Sequence, residues 1–551
     1  MQRFMKITDT QDMVEDVMMD VAKAVVSTMG PNGRLALISV GTNKKVTKDG
    51  VTVARSIKFE DPFKELINKV ITEPAVKTDV ECGDGTTTTI LLTAELYSLF
   101  SQFPGYREQK FIERLGGLLI DELQRMARVV TVGSPELYQM ALTSSNGDVE
   151  LSKVITDIYA QANGKFPEIE LKEGVTRADK VVHSDGLPVK MEFSNPSFSA
   201  TGNGADTDFE RYVPLVIDDN LRSMQPDQAV EFFRKLFDKY NFGKDIEGVV
   251  IPVLLIARSI DNSLNSLIMQ INNVSPKVKF IGVQTNFGGS VGTLLMQDIA
   301  IMLGVPFFKT LADTLHQDVK ACTVPLTVGS RRSVIRPNDP VTKTRITDRA
   351  KEIETELGTY EAGDRFSMRA KFNEQRMRSL LGELVTVFVG GETQSEVKER
   401  LDRFEDVGKA VKSALINGIL PGVGSAMITA GQFVFGALDE QELLDYPPFQ
   451  KIVDVMEKIT FAQFFLLMKG IVSEDQMLNI KANVIDMDCP EPIRVLNLAT
   501  GEWGTPAALG IYDTAYASIT ALKGGLQTAK ILANLDSVLL GDKSSAVQIQ
   551  D

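Results

Sequence analysis

Three glycine-rich turns in this chain set polar side chains where they could handle an anion. The richest is Gly83-Asp84-Gly85, followed by Thr86, Thr87, Thr88 and Thr89. Glycines let successive backbone amides point at one anion, the helix that follows adds its dipole, and threonine hydroxyls supply further donors. A carboxylate among such donors repels phosphate unless a hard cation lies between them. Magnesium, held by one or two carboxylates and by the phosphates themselves, meets that need. Read alone, the same residues also make an ordinary Asx turn and helix cap. The second turn, Thr47-Lys48-Asp49-Gly50, places a lone carboxylate in a tight bend. The third, Thr28-Met29-Gly30-Pro31-Asn32-Gly33-Arg34, ends a helix. No GxxxxGKS/T loop occurs, and the pair Gly422 and Gly424 lacks the third glycine and the preceding strand of a dinucleotide site.

Such turns need rigid elements on either side. Val14, Val17, Met18, Val21, Ala22 and Val25 follow the three-to-four spacing of an amphipathic helix that Met29-Gly30-Pro31 stops. Strands are expected over 35–40 and around 45–47, and residues 86–99 read as a buried helix, apolar on most sides. From about residue 189 the text alternates. Strands at 213–217, 249–257 and 278–284 are separated by helices at 227–240 and 263–271, and a helix at 291–303 follows, the grammar of an α/β domain. The polar stretch 342–376 reads as a solvated helical hairpin. Helices return at 398–417 and 425–438, and the last residues, KSSAVQIQD, are expected to fray. Helical, mixed, then helical again implies a middle domain inserted into one outer domain.

Composition narrows the function further. The 551 residues suggest roughly three or four domains. Fifty-nine Lys plus Arg against seventy-three Asp plus Glu give a net charge of -14, a surface that repels nucleic acid. Cys82, Cys322 and Cys489 are far apart, which writes neither a disulfide framework nor a zinc site, and His183 and His316 leave almost no room for histidine catalysis. Cys82 is expected to be a small buried thiol, the histidines surface or hinge residues, and Trp503 a core residue. The longest apolar run, 249–257, is too short to span a bilayer and is broken by Pro252. The start, MQRFMKITDTQ, lacks the basic and apolar regions of a secretory signal, so a reducing, cytoplasmic setting is expected, bacterial or that of a phage-infected host.

In this order and spacing, the 28–34 turn, Thr47 to Ala54 (TKDGVTVA) and GDGTTTT resemble the equatorial domain of a group I chaperonin. The likeness continues through Phe287-Gly288, Met296-Gln297-Asp298-Ile299-Ala300 and Phe404-Glu405-Asp406. It ends on Gly418, Gly422, Asn497 to Glu502 and Gly510-Ile511-Tyr512-Asp513. It spans nearly the whole chain, and the divergence between motifs points to a remote, phage-type member. The resemblance implies an α+β multidomain subunit: a helical equatorial domain from 1–132 and 409–551, a small intermediate domain from 133–188 and 372–408, and an apical α/β domain at 189–371. It implies ATP-driven folding of non-native clients in a ring, heptameric and single or stacked in pairs, with ATP, magnesium and potassium.

Residue by residue, Thr28, Met29, Gly30 and Pro31 would lie along the α-phosphate, and Asp84 would bind magnesium. Gly85, Thr86, Thr87 and Thr88 would wrap the β- and γ-phosphates. Lys48 would serve the potassium and phosphate environment. Asp49 and Asp406 would orient and activate water, and positioning of that kind is most of phosphoryl transfer. Without the resemblance, Asp406 reads as a solvated helix charge. Gly422, Asn497, Ala499, Ile511 and Asp513 would hold base and ribose. Thr143 and Ser144 match either a nucleotide-side loop or a capping turn.

Clients would meet Val230, Phe233, Leu236 and Phe237 on one helix, Leu264, Ile268 and Met269 on another, and Phe198 beside them; packing on the apical sheet is the alternative for some of these. Ser197, Thr201 and Gly202 stand where the family has aromatics, so client choice and docking of a lid-forming co-chaperonin are open. Asn195 and Gln394 replace an arginine and a glutamate that bridge subunits, which implies altered coupling between them. Hinges are expected near Gly186 and Gly382. The other readings are a passive ring-shaped holdase and a group II chaperonin with a built-in lid, for which no long apical protrusion is evident between 230 and 300.

Overall fold

The computed structural model describes the whole chain except residues 1–2, 5–6, 31–32, 41–42, 163–166, 175, 185, 223–225, 241–250, 275–278, 330–332, 360–367, 383, 469–472, 474–492, 498–499 and 541–551. Pro31, Cys489, Leu498, Ala499, the final segment and part of the expected strand at 249–257 lie outside the described residues, as does the side chain of Phe237. The chain divides into two units, Met1–Ala160 with Gly391–Asp551, and Gln161–Gly390.

The first unit is built of helices. Ile7–Val26, Pro62–Cys82, Thr86–Gln102, Tyr106–Met126, Ser425–Gly436, Pro447–Thr460 and Ala515–Ala533 contribute to one core. The Thr86–Gln102 helix lies deep within it, with Ile90, Leu92, Leu96, Leu99 and Phe100 buried and only Glu95, Ser98, Ser101 and Gln102 forming a narrow exposed side. The hairpin Ala36–Val40 and Asn43–Thr47 lies where strands were expected. Gln394–Asn417 forms one helix, N-capped by Thr393, and ends at Gly418, whose φ of 84° suits glycine.

The second unit centres on a five-stranded sheet ordered Phe307–Phe308, Val213–Leu221, Val253–Ile260, Phe280–Gln284, Glu192–Phe193. All neighbours in it are parallel except the last pair. Val253 to Ala257 are all buried, as a central parallel strand covered on both faces requires. A four-stranded antiparallel sheet orders Leu187–Val189, Ser333–Ile335, Leu326–Val328 and Thr207–Phe209. A three-stranded sheet pairs Leu384–Val389 parallel with Glu168–Glu173 and antiparallel with Lys180–Ser184. Helices Pro340–Gly358 and Met368–Leu381 form the expected hairpin, but it is not merely solvated. Ile346, Ala350, Ile353 and Leu380 are buried, and Arg376 and Arg349 both reach the buried Asp298. The Arg376 contacts measure 2.7 and 2.9 Å and the Arg349 contact 3.1 Å.

Most residues assigned to a client groove point the other way. Phe233 and Leu236 of helix Pro226–Tyr240, Leu264 and Ile268 of helix Asn262–Val274, and Phe198 all pack into the core of this unit. A parallel sheet needs an apolar cover on its faces, and these helices supply it. Met269 is half-buried against the same core, and Val230 is exposed among Glu231, Arg234, Lys235 and Asp238. Trp503, expected in a core, is 37% exposed on the short ribbon Val495–Leu496 with Trp503–Gly504. Cys82 is buried as expected, and both histidines are exposed.

Candidate active site

The first unit brings the three glycine-rich turns together. Helix Pro62–Cys82 closes at Gly83, left-handed at φ 69°, and its amide donates to the Asp79 carbonyl at 2.7 Å. Gly85, at φ 90°, is the N-cap of Thr86–Gln102, and no side chain caps that helix. The amides of Thr86, Thr87 and Thr88 therefore have no partner within the helix and can receive an anion. Asp84 donates nothing to the cap; its Oδ1 accepts from the Gly85 amide at 2.6 Å.

Asp49 is fixed by a different use of the same chemistry. It N-caps Gly50–Ser56, accepting from the Val51 amide at 3.1 Å, the Thr52 amide at 2.9 Å and the Thr52 hydroxyl at 2.5 Å. Gly50 marks the meeting of the turns, since a Cβ there would stand 2.4 Å from Thr87 Oγ1 and 3.7 Å from Thr28 Oγ1. Thr28 is buried and its hydroxyl donates to the Val25 carbonyl at 2.7 Å, closing the first helix. Gly30 is left-handed at φ 73° and faces Leu467, and Met29 precedes it. The Lys48 stem runs beside Gly33, and burial, helped by the charge of Arg403, lowers its pKa. Arg403 itself pairs with Asp148 at 3.3 Å.

Asp406 joins this group from helix Gln394–Asn417. A Cβ on Gly83 would come within 2.6 Å of both the Asp406 carbonyl and Lys409 Cβ, so the loop and this helix are in direct contact. Loss of hydration, then the charges of Asp49 and Asp79, push the Asp406 carboxyl up to about 8; Lys409 opposes this and Asp84 adds to it. Burial also raises Asp79 and Asp84, the latter ringed by protein yet open to solvent on one side and held back by the Gly85 amide. Asp513 is pushed up to about 7 by burial and then by Asp84. Crowded carboxylates of this kind attract a cation. Among the described residues no three acidic, Cys or His side chains could hold a metal ion alone. That donor set fits magnesium, which takes one or two carboxylates and keeps waters and phosphates for the rest.

At the other end, strands Ile419–Pro421 and Tyr512–Thr514 pair antiparallel, and the Gly422 amide donates to the Ile511 carbonyl at 3.0 Å. A Cβ on Gly422 would lie 3.2 Å from Asp513 Oδ1, so the glycine leaves that carboxylate room. Ile511 and Val423 pack on a small core with Phe464, Val495 and Leu496. Asn497 follows Leu496, and its Oδ1 accepts from the Thr500 amide at 3.3 Å. Thr143 bonds back into its own helix, to the Gln139 carbonyl at 3.0 Å. Sequence reasoning missed Asp79, Lys409 and Arg403. Each reads as an ordinary helix charge, and only the packing of distant helices reveals its neighbours.

Residues 21–192 match the TCP-1/cpn60 chaperonin family. The crystal structure of chaperonin gp146 from the bacteriophage EL 2 (Pseudomonas aeruginosa), obtained in the presence of ATP-BeFx, is 42% identical. The match covers 98% of this chain and 99% of that one, with a TM-score of 0.84. The chain belongs to this chaperonin family. Heat shock protein 60 of Emericella nidulans is 28% identical over 425 residues, 74% of this chaperonin and 68% of that chain. Mitochondrial heat shock protein 60 of Candida albicans is 27% identical over 422 residues, 74% and 71% respectively. The protein is thus a divergent, phage-like group I chaperonin, an ATP-dependent chaperone and ATPase that works on client proteins as an oligomeric ring. No described helix is long and apolar enough to cross a membrane.

Proposed function

We propose that this chaperonin hydrolyses ATP within its first unit, with Asp406 as the general base. The observation that supports this most is the Asp406 carboxyl, held near 8 by burial and by Asp49 and Asp79, which suits proton uptake close to neutral pH. The amides and hydroxyls of Thr86, Thr87 and Thr88, with Gly85, receive the β- and γ-phosphates, and Thr28, Met29, Gly30 and Pro31 lie along the α-phosphate. Gly422, Asn497, Ala499, Ile511 and Asp513 hold base and ribose. Asp49 already accepts three hydrogen bonds, so its carboxylate is held in one orientation and serves to orient the water. The water oxygen bonds to the γ-phosphorus, the bond to the ADP oxygen breaks with its electron pair leaving on ADP, and the water proton passes to Asp406. Asp84 would hold magnesium, which neutralises phosphate charge when bound. Potassium, near Lys48, is implied by the resemblance alone.

We read the chain as three domains: equatorial 1–132 and 409–551, intermediate 133–188 and 372–408, apical 189–371. The sheet joining Glu168–Glu173, Lys180–Ser184 and Leu384–Val389 supports the shared intermediate domain. Subunits form heptameric rings, single or stacked in pairs, in the bacterial or host cytoplasm, and apical movement about Gly186 and Gly382 exposes and releases clients. Client contact falls to Val230, Met269 and Phe237. Asn195 uses its side chain to cap the Ser197 amide at 3.0 Å, in keeping with altered coupling between subunits. A weak Hill coefficient for ATP supports that coupling, and strong cooperativity refutes it.

The deciding experiment compares steady-state hydrolysis and nucleotide binding in the native oligomer and in Asp406→Ala, with magnesium and potassium. Native turnover with a variant that binds but barely hydrolyses supports the reading. If the variant hydrolyses normally, Asp406 is not the base; if neither hydrolyses, a passive holdase replaces the enzyme.

A further inference from the structure

Two hydroxyls in the first unit break a habit that the others there follow. Within its helices hydroxyls commonly donate back to the carbonyl four residues earlier: Thr72 to Asn68 and Thr78 to Pro74 at 2.9 Å, Thr93 to Thr89 at 2.7 Å, Thr429 to Ser425 at 3.0 Å. At helix starts they accept from a first-turn amide, as Thr393 does from Glu396 and Thr505 from Ala508, both at 3.2 Å. Ser413, inside helix Gln394–Asn417, makes no such bond, and Thr514, the N-cap of Ala515–Ala533, caps nothing. Ser413 is 4% exposed and Thr514 1%, and among the described residues neither hydroxyl has a hydrogen-bond partner.

The backbone brings the two to one junction. The Ala414 carbonyl accepts from the Gly418 amide at 2.8 Å, and the Gly418 carbonyl accepts from the Ala515 amide at 3.1 Å. Ser413 and Thr514 each stand one residue from an end of this short chain of bonds, and Thr514 pairs across the ribbon with Ile419. Helix Pro135–Ser144 packs on both Gln394–Asn417 and Tyr512–Thr514, and its buried side chains, Leu137, Met140 and Ala141, offer no hydroxyl or amide. Along the strand Tyr512 and Thr514 are buried and Asp513 is half-buried, so Thr514 points away from the side that Asp513 gives to the ribose. Ser413 lies two turns beyond Asp406 on the same side of its helix.

We propose that Ser413 and Thr514 hold one buried water between them, and that this water joins the helix of Asp406 to the strand of Asp513. A water is the guest these groups fit. Each hydroxyl can donate and accept, and buried waters characteristically link polar groups that protein atoms leave unpaired. Both residues are positioning residues in this scheme, and neither touches nucleotide. The bridge fixes the spacing between the two elements and so keeps Asp406 in place against the bound nucleotide. That last step rests on the reading of Asp406 as the base.

Two measurements on the assembled oligomer test it. A crystal structure should show one ordered water within hydrogen-bond distance of both oxygens. Hydroxyls too far apart for one water to reach both, or bonded directly to each other, overturn the proposal. Steady-state ATP hydrolysis then compares Ser413→Ala, Thr514→Val, Thr514→Ser and the double variant Ser413→Ala with Thr514→Val, with assembly checked by size. Loss of either hydroxyl should lower kcat about fivefold and leave KM within about twofold, because the bridge positions the base and not the nucleotide. Thr514→Ser keeps the hydroxyl and should keep native kcat. The double variant should fall no further than the worse single one, since both changes break the same bridge. Effects that multiply in the double variant overturn the proposal, as does native kcat in both single variants. If Asp406→Ala hydrolyses normally, the base assignment fails and the kcat comparison with it. The bridge then stands on the water in the crystal and on non-additive thermal midpoints in the same variants, and falls if those midpoints add.

Discussion

Two aspartates in this chaperonin, Asp298 buried and Asp406 half-buried, live under opposite rules. In the second unit Asp298 is almost fully enclosed, but its carboxylate meets Arg376 through two contacts and Arg349 through a third. In the first unit Asp406 faces Asp49, Asp79 and Asp84 with Lys409 as its countercharge. A fully compensated acid is structural: it ties the Pro340–Gly358 and Met368–Leu381 helices to Gly289–Leu303. An acid left with too many like charges is poised, and its ionisation can be shifted by whatever binds beside it. The more deeply buried of the two is the structural one, so the count of partners, not burial, sets the difference.

The sharpest way to break this comparison is to remove one member from each side. Asp406→Ala is expected to reduce ATP turnover by about 10³-fold, the scale of a lost general base, with no loss in thermal midpoint, because a carboxyl held above its unfolded pKa costs stability at neutral pH. Arg376→Ala should do the reverse. Leaving Asp298 short of its bidentate partner costs about 3 kcal/mol, read as a lowered midpoint in thermal or denaturant unfolding, while turnover at low temperature persists. If both variants lose activity and stability together, the two aspartates do not differ in kind.

Proton linkage gives the next test. Asp406 has a folded pKa near 8, above its unfolded value, so between the two the native state binds the extra proton. Its contribution to stability therefore falls as pH rises from about 4 towards 8 and levels off above that. Midpoints of nucleotide-free protein followed over this range should decline less in Asp406→Asn than in the native chain. An equal decline would remove Asp406 from the cause. Gly83→Ala comes after these. The left-handed backbone and the 2.6 Å approach to Asp406 make the methyl group intolerable without a shift, for about 1–2 kcal/mol of stability and a reduced kcat. Val230→Ser, on the exposed face of its helix, should stay within about 0.5 kcal/mol in stability, so any loss of client capture by that variant reports contact rather than folding.

The same contrast explains what the sequence made legible. Gly83 to Thr89 could be read directly because a phosphate loop is local: two left-handed glycines and a helix start lie within seven residues. Helices at 86–99 and 398–417 and strands at 213–217 and 278–284 follow from periodicity, and the described elements begin or end within a few residues of them. The direction of a helix is less local. Phe233 and Leu236 form an apolar stripe that serves equally as a groove or as the cover of a sheet, and only the neighbouring strands decide. Trp503 sits on a two-stranded ribbon too small to bury it. Asp79 and Asp406 are far apart in the chain, and nothing near either residue announces that Gly83 brings them together.

The three-stranded sheet carries a practical consequence for anyone who wishes to excise the second unit. Its first strand, Glu168–Glu173, and its last, Leu384–Val389, run parallel, with Glu168 beside Leu384 and Glu173 beside Val389. The chain therefore enters at one end of this pair and leaves at the other, a strand of 6 residues away, about 20 Å. A circular permutant that joins these ends needs a linker of at least about six extended residues laid back along the sheet. A two-residue turn suits only antiparallel neighbours and would tear the pair apart.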